Sequence, residues 1–396
     1  MNRFKKILKN GITVIGEHRD LPVISLSITN KFGAAHETGD IKGLAHVMEH
    51  LVFTGTKTRT HEEISREIEK KGGVINAFTS DSVTSFWFKL PSKHAFAGLD
   101  ILIDILKNPV FNEKKFEKEK KVILEEIKMY HDSPQYHVYE KINENLYEKP
   151  FGIGVIGTKE TVSALKREFV ASYFKEKYSP ENYIVTFVGD IDAEKLCKHL
   201  EEEFKSEKKK SKIVPVVKKN AKSVEERPGL DQAHYLFAIH APLATEKEVY
   251  ALEVLDAHLA NGMSSKLFLT IREERGLAYS VKSTLDAKKD YSYYAIYVGT
   301  TKKAIPEVEK LILEGFKNTE NMTEKDLKEA KERLMGLKQI SREESVEVMN
   351  DLMHAEFCSN VEKYYEYEKE IEKVTLEEVK KVAKIKEFST AAIVPK

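Results

Sequence analysis

The sequence predicts an α+β protein of two homologous α/β-roll-like units, each a mainly antiparallel sheet packed with helices, related by internal duplication. Three observations lead to this prediction. The chain has 396 residues, more than one ordinary core holds. Strand and helix patterns recur in the same order in both halves, and a lysine-rich stretch separates them. The predicted domains are residues 1–205 and 224–396, joined by a linker at 206–223.

Composition excludes several classes of protein. Lys+Arg and Asp+Glu both number 64, so the chain lacks the basic excess that nucleic-acid binding usually needs. No apolar run approaches the roughly 18 residues of a membrane span, and Ile12–Ile15 is too short for a signal-peptide core. The 2 cysteines are too few for a disulfide framework. We therefore expect a soluble cytoplasmic protein with neither a membrane nor a nucleic-acid partner.

The first half begins with strand patterns. In 23–29, Ile and Leu alternate with Ser and Thr, which is typical of a strand with one face buried. Thr60 and Glu63 form a capping box that begins a helix, and Gly72-Gly73 ends it. The other predicted elements are helices at 43–54 and 113–130 and strands at 74–78, 83–90 and 184–188.

The second half repeats this order and supports duplication. Residues 43–51 (GLAHVMEHL) are similar to 251–259 (ALEVLDAHL), and 112–116 (NEKKF) to 323–327 (TEKDL), at nearly equal offsets of 208 and 211. The predicted elements of this half are strands at 235–239 and 291–298 and helices at 250–259 and 323–340.

The strongest chemical motif is His46-x-x-Glu49-His50. On a helix, His46 and His50 are four residues apart, so both imidazoles project from one face and can share a metal ion. The motif is the reverse of the H-E-x-x-H zinc helix. Burying two imidazoles and a carboxylate among apolar neighbours without a shared partner would be costly, which favours metal binding over a purely structural helix.

A catalytic zinc site needs a third protein ligand and an open position for water. The charged helix at 113–130 supplies glutamates, of which Glu119 and Glu126 are seven residues apart and lie on one face. The helical pattern alone does not choose between Glu125 and Glu126. The candidates for the third ligand are Glu117, Glu119, Glu125 and Glu126.

The internal repeat provides a comparison for these residues. The five polar residues to compare are His46, Glu49, His50, Glu119 and Glu126. At the two offsets, the second half keeps only one of these groups, with His258 at the position of His50. Val254, Ala257, Ala330 and Leu337 stand at the positions of the other four. This indicates a duplicated scaffold with one active site and one degenerate site.

The chain resembles the pitrilysin/insulinase family of zinc peptidases, the inverzincins, which includes the mitochondrial processing peptidase. In that family a glutamate farther along the chain completes the zinc site at a characteristic spacing from the motif, and the spacing from His50 to Glu126 matches it. Three further segments are similar to the family: HVMEHLVFTGT at 46–56, GGVINAFTS at 72–80 and SSKLFLTIREERGLAYSV at 264–281.

The resemblance implies a role for each matching residue. One zinc ion per chain would be held by His46, His50 and Glu126, with Glu49 as general base. Glu119 would be a catalytic-site residue that orients the ligands. Domain 1–205 would then be the catalytic zinc-binding domain, and 224–396 a degenerate repeat. The residues implied to bind substrate are Asn76 and Ala77 on a strand, and Arg272 and Tyr279, which would also assist catalysis.

The implied function is a zinc-dependent endopeptidase acting on peptides or unfolded segments. One alternative is a non-catalytic peptide-binding or partner subunit of a processing-peptidase-like complex. A weaker alternative is a metal-dependent hydrolase of non-peptide substrates. Relatives of this length commonly pair into a chamber, which implies a homodimer.

Overall fold

The computed structural model describes residues 2–205 and 214–396, so part of the predicted linker, 206–213, lies outside the described residues. The chain divides into two compact units that are not contiguous in sequence. Unit 1 comprises Met1–Lys128, Ile153–Pro215 and Ser341–Val361. Unit 2 comprises Met129–Gly152, Val216–Ile340 and Glu362–Lys396.

Runs of strands and runs of helices follow one another along the described residues, as expected for an α+β protein. The strands are β1 (Asn2–Ile7), β2 (Thr13–His18), β3 (Val23–Asn30), β4 (Val74–Thr79), β5 (Thr84–Pro91), β6 (Tyr183–Gly189), β7 (Lys222–Arg227), β8 (Ala233–His240), β9 (Ala278–Ala287), β10 (Ser292–Thr300) and β11 (Ser389–Pro395). The α-helices are α1 (Leu44–Val52), α2 (His61–Glu69), α3 (Ala95–Lys107), α4 (Glu113–Asp132), α5 (Pro134–Leu146), α6 (Lys159–Ala164), α7 (Arg167–Lys177), α8 (Ala193–Glu203), α9 (Glu248–Leu259), α10 (Ile305–Asn318), α11 (Glu324–Ser341), α12 (Ser345–Cys358), α13 (Glu362–Lys373) and α14 (Leu376–Val382). A π-helical segment covers Phe268–Glu274.

Each unit contains one mainly antiparallel sheet, which confirms the predicted fold class. In unit 1 the strand order is β1-β2-β6-β3-β5-β4, and only β2 and β6 pair in parallel. In unit 2 the order is β7-β11-β8-β10-β9, with β7 and β11 parallel. Strand β4 therefore lies at one edge of the first sheet, paired on one side with β5.

The prediction that β3 has only one buried face is wrong. Ile24, Leu26 and Ile28 are fully buried in the core of unit 1, but the alternate residues of the strand are buried as well. Helix α12 covers that second face, and the Ser25 and Ser345 hydroxyls lie 2.8 Å apart in a hydrogen bond. This hydrogen bond replaces the water that the Ser25 hydroxyl loses on burial.

The helices α5 and α12 explain why the units are discontinuous. Helix α5 follows α4 and packs on β8 and β11 of unit 2, whereas α12 follows α11 and packs on β3 and β6 of unit 1. The first residues of the two helices, Pro134 and Ser345, are related by an offset of 211 (345 − 134), which is also the offset of the repeat at 112–116. The first half of the chain thus contributes α5 to the sheet of unit 2, and the second half contributes α12 to the sheet of unit 1.

The sequence-based domain boundaries omit this exchange. A division into 1–205 and 224–396 assigns α5 to the first domain and α12 to the second, opposite to the compact units. The predicted linker also ends inside β7, which begins at Lys222. Among the described residues, no helix is both long and apolar enough to cross a membrane.

Candidate metal centre

The local backbone dictates where the motif helix α1 begins. Gly43 precedes the helix with φ +92°, in the left-handed region that side chains rarely adopt. A Cβ added at Gly43 would lie 2.6 Å from the backbone oxygen of Ile156. A glycine is therefore required here for α1 to begin at Leu44.

A buried carboxylate caps the same helix end. Glu37 accepts hydrogen bonds from the backbone N–H groups of Gly43 at 3.0 Å and Ala45 at 2.6 Å, which the first turn leaves unpaired. The fully buried Lys42 ammonium lies 4.0 Å from Glu37 and donates to the Ala34 carbonyl at 2.9 Å. Burial raises the pKa of Glu37 to about 7, against the opposing effects of Lys42 and the two N–H groups. The cap anchors the helix that carries both histidines.

At a pH well above the pKa of Glu37, where its carboxylate is ionised, replacing Glu37 by Gln is expected to lower the free energy of unfolding by about 3–5 kcal/mol, because the buried Lys42 ammonium would lose its counter-charge. Urea unfolding of the metal-free protein measures this change. The matched control is Glu62→Gln, an exposed glutamate in the first turn of α2, which should change stability by less than about 0.5 kcal/mol. Equal effects of the two substitutions would contradict the role of Glu37.

The structure brings the two histidines of the motif together with Glu126 of α4 in unit 1. The Nε2 atoms of His46 and His50 lie 3.7 and 3.5 Å from the Glu126 Oε2 atom. The two rings are 4.6 Å apart between centroids, and one ligating atom from each of the three residues lies within 4.8 Å of the others. By contrast, the Glu125 side chain is 79% exposed and pairs with Lys128.

The two histidines have opposite electrostatic environments. Burial, followed by the effect of His50, lowers the pKa of His46 to about 4, and its buried Nδ1 has no hydrogen-bond partner among the described residues. Burial also disfavours the charged form of His50, but Glu119, Glu126 and Glu49 outweigh it and raise the pKa to about 9. The hydrogen bond from His50 lowers the pKa of Glu126. Without a metal ion, the cluster therefore keeps its proton on His50.

Glu49 lies on the same helix as the two histidines and reaches β4. Its carboxylate accepts a hydrogen bond from the Thr79 hydroxyl. Burial raises the pKa of Glu49, although the Thr79 bond opposes the shift. A carboxylate with a raised pKa beside a metal-capable cluster is suited to accept a proton and return it.

Glu119 lies beside the other ring nitrogen of His50, with 3.4 Å between its Oε2 and Nδ1. Such a carboxylate fixes the tautomer and orientation of a ligating histidine.

Asn76 and Ala77 lie on the edge strand β4, which α1 packs against. The Asn76 side-chain oxygen accepts a hydrogen bond from the Ala77 N–H at 2.8 Å.

The two remaining predicted residues belong to unit 2. Arg272 lies in the π-helical segment, and Tyr279 is on the edge strand β9 with its side chain largely exposed. The Arg272 guanidinium is 5.5 Å from the centre of the Tyr279 ring and 4.8 Å from that of Phe268. The structure therefore brings Arg272 and Tyr279 together.

The positions of the second half that correspond to the predicted site residues are mostly buried in the core of unit 2. Val254 and Ala257 on α9 and Ala330 on α11 are all buried in unit 2. Burial lowers the pKa of the remaining His258. Helix α9 thus uses for packing the face that α1 uses for its polar residues.

Sequence reasoning missed three residues of this site. Thr79 lies on the strand predicted to bind substrate, but a threonine there fits any strand pattern. Glu37 and Lys42 precede the motif in a polar stretch that reads as a loop. Only tertiary structure shows that both are buried, and their one sequence signal is their closeness to Gly43.

The donor set fits zinc. Ligand atoms of one zinc ion lie about 2.0–2.2 Å from it, and hence within about 4.4 Å of one another. The separations of 3.5 and 3.7 Å from Glu126 to the two imidazoles fall within that range. Two imidazoles and one carboxylate are also a ligand set of catalytic zinc sites, which keep a position for water.

Comparisons with known proteins agree with this chemistry. The family model described as Insulinase (Peptidase family M16) matches residues 14–159. The model described as Peptidase M16 inactive domain matches residues 164–334.

Curated relatives and solved structures extend the likeness to most of the chain. The chain is 30% identical to the uncharacterized zinc protease YmxG of Bacillus subtilis, covering 85% of this chain and 83% of that protein. It is 31% identical to an uncharacterized zinc protease of Mycobacterium leprae, covering 95% and 87%. A protease from Helicobacter pylori has the same fold, with a TM-score of 0.93, 22% identity and coverage of 100% and 99%.

Proposed function

Because the chain belongs to the insulinase family, peptidase family M16, we propose that it is a zinc-dependent endopeptidase of the HxxEH type. Its substrates are peptides or unfolded segments. The observation that carries the proposal is the convergence of His46, His50 and Glu126, with Glu49 next to them on the same helix.

His46, His50 and Glu126 would hold one zinc ion per chain. When bound, zinc would supply a water of lowered pKa and polarise the scissile carbonyl. Glu119 keeps His50 in the orientation that directs Nε2 toward Glu126. The raised pKa of Glu49 allows it to take the proton of the attacking water and deliver it to the leaving amine. Thr79 holds the Glu49 carboxylate in place for both transfers.

The edge strand β4 is the proposed substrate platform. An extended peptide can add to an exposed strand edge through backbone hydrogen bonds, which selects unfolded chains over folded ones. The Ala77 N–H, now bonded to the Asn76 side chain, would be a donor to the substrate once Asn76 releases it. Asn76 thus occupies this amide until a substrate strand replaces it.

Tyr279→Phe is expected to lower kcat by about 10²-fold while zinc content stays unchanged, if the phenol donates to the developing oxyanion. The proposal assigns Arg272 the same task toward the substrate backbone. Steady-state kinetics and metal analysis measure the effect. The matched control is Tyr136→Phe, because Tyr136 is also exposed and should tolerate the loss of its hydroxyl. Unchanged kinetics for Tyr279→Phe would remove this residue from the mechanism.

The competing function is a non-catalytic subunit that binds peptides or a partner. It is favoured by the similarity of residues 164–334 to an inactive domain, but unit 1 retains the three proposed zinc ligands and the proposed general base Glu49. We also propose that the protein is a homodimer, which analytical ultracentrifugation tests.

The decisive experiment is digestion of an unfolded peptide library by the purified chain alone. We expect cleavage that a chelator abolishes and added zinc restores, at one zinc per active site. If the protein carries this zinc but cuts no peptide, the peptidase function is wrong, and the non-catalytic function or hydrolysis of a non-peptide substrate remains.

A further inference from the structure

A second group of two histidines and a glutamate lies in unit 2. His131 is at the end of α4, His137 is on α5 and Glu225 is on β7. One ligating atom from each lies within 4.8 Å of the others, and within the described residues this property is shared only with the site of unit 1. We infer that His131, His137 and Glu225 form a second binding site for a divalent transition-metal ion.

The surroundings of His137 suit a ligand. Its ring is buried between two carboxylates, with Nδ1 at 2.8 Å from Glu140 and Nε2 at 3.1 Å from Glu225. If Nδ1–H donates to Glu140, the lone pair of Nε2 faces the Glu225 oxygen. Two acceptors this close need a cation between them, either a proton or a metal ion. A carboxylate behind the far ring nitrogen is also the usual arrangement for a metal-bound histidine.

His131 supplies the second imidazole. Its ring centre is 4.6 Å from that of His137. Its Nε2 lies 3.2 Å from an Arg227 nitrogen, and because arginine only donates, this Nε2 carries a lone pair. Arg227 also donates from Nε to the other oxygen of Glu225 at 2.6 Å. The guanidinium thus provides the positive charge that holds these acceptors together, and a metal ion would displace it from His131.

The ligand types define the class of ion. Imidazole nitrogens with one carboxylate suit zinc, nickel or copper rather than calcium or magnesium, which prefer oxygen ligands. Because the three ligands come from the last turn of α4, from α5 and from β7, a bound ion would tie these segments of unit 2 together. We therefore expect a structural role, outside the peptidase chemistry.

Metal analysis after dialysis of the full-length protein against micromolar zinc tests the site. Wild type should hold one more zinc per chain than either His131→Ala or His137→Ala, and excess zinc should raise the Tm of wild type more than theirs. His131 is exposed, so its replacement should not impair folding. His137 is buried between carboxylates, so its replacement can also affect stability. The control is His199→Ala, whose ring pairs with the single carboxylate of Asp100 and should not affect zinc content.

The measured quantity distinguishes a failure of this inference from a failure of the proposed peptidase function. The difference in zinc content between wild type and His131→Ala does not depend on whether the site of unit 1 holds zinc. Peptide hydrolysis should be the same in both proteins, since His131 has no part in the reaction. Equal zinc content in wild type, His131→Ala and His137→Ala would overturn the inference.

Discussion

Replacement of Glu49 by Gln is expected to lower peptide hydrolysis by a factor of about 10²–10⁴, because an amide cannot accept the proton of the attacking water. The substitution conserves size and can still accept the Thr79 hydroxyl, so α1 should keep its position. Zinc content should be unchanged, since the three proposed ligands remain. Metal analysis beside a peptide-library digest of wild type and variant measures both quantities.

The matched control for Glu49→Gln is Glu62→Gln, the same chemical change at an exposed position of α2. It should leave both hydrolysis and zinc content unaltered. A Glu49→Gln protein that still cuts peptides at the wild-type rate would remove Glu49 from the mechanism. If Glu49→Gln lost zinc, Glu49 would be a ligand rather than a base.

The elements that sequence predicts best are those with a local cause. Alternation in β3 and the capping box of α2 both reflect contacts within a few residues, and the structure has these elements within about two residues of the prediction. The second buried face of β3 depends on α12, which begins only at Ser345, in the other half of the chain. No local pattern in β3 indicates that a distant helix covers its second face. The alternation of Ile and Leu with Ser and Thr therefore predicts, by itself, that the serines are exposed.

The site residues likewise divide into those recognisable from local sequence and those that depend on the tertiary fold. His46, Glu49 and His50 are recognisable because helix geometry alone places them within one turn. Glu126 required the spacing known from a family, although its position three residues after the buried Ile123 places it nearer the core than Glu125. Thr79 and Glu37 reach the site only through the tertiary fold, and both residue types are common in strands and loops.

The exchange of α5 and α12 is a further property that repeat detection misses. Similarity at offsets of 208 and 211 reveals two copies, but it does not show which sheet helices α5 and α12 join. The buried residues of α5 include His137 and Asn145, and Asn145 donates to Ser223 and to the Thr390 carbonyl of unit 2. These polar partners come from distant segments, and their pairing specifies where the helix packs.

Glu126→Gln is expected to weaken zinc binding by at least about 100-fold, because removing a ligand should cost more than the 10–100-fold typical of residues behind the ligands. Two neutral imidazoles would then hold the ion without the carboxylate that offsets its charge. Hydrolysis at limiting zinc should fall in parallel and recover partly at high zinc. Competition with a chromophoric chelator measures the affinity.

The neighbouring Glu125→Gln is the stringent control for Glu126→Gln. Both residues lie on α4 and both changes remove one negative charge, but the Glu125 side chain is 79% exposed whereas Glu126 is 3.5 Å from the His50 Nε2. A general loss of negative potential along the helix would weaken zinc binding equally in both variants. Direct ligation requires that only Glu126→Gln does so, and a larger effect at Glu125 would assign the ligand to the other glutamate that the helical pattern allowed.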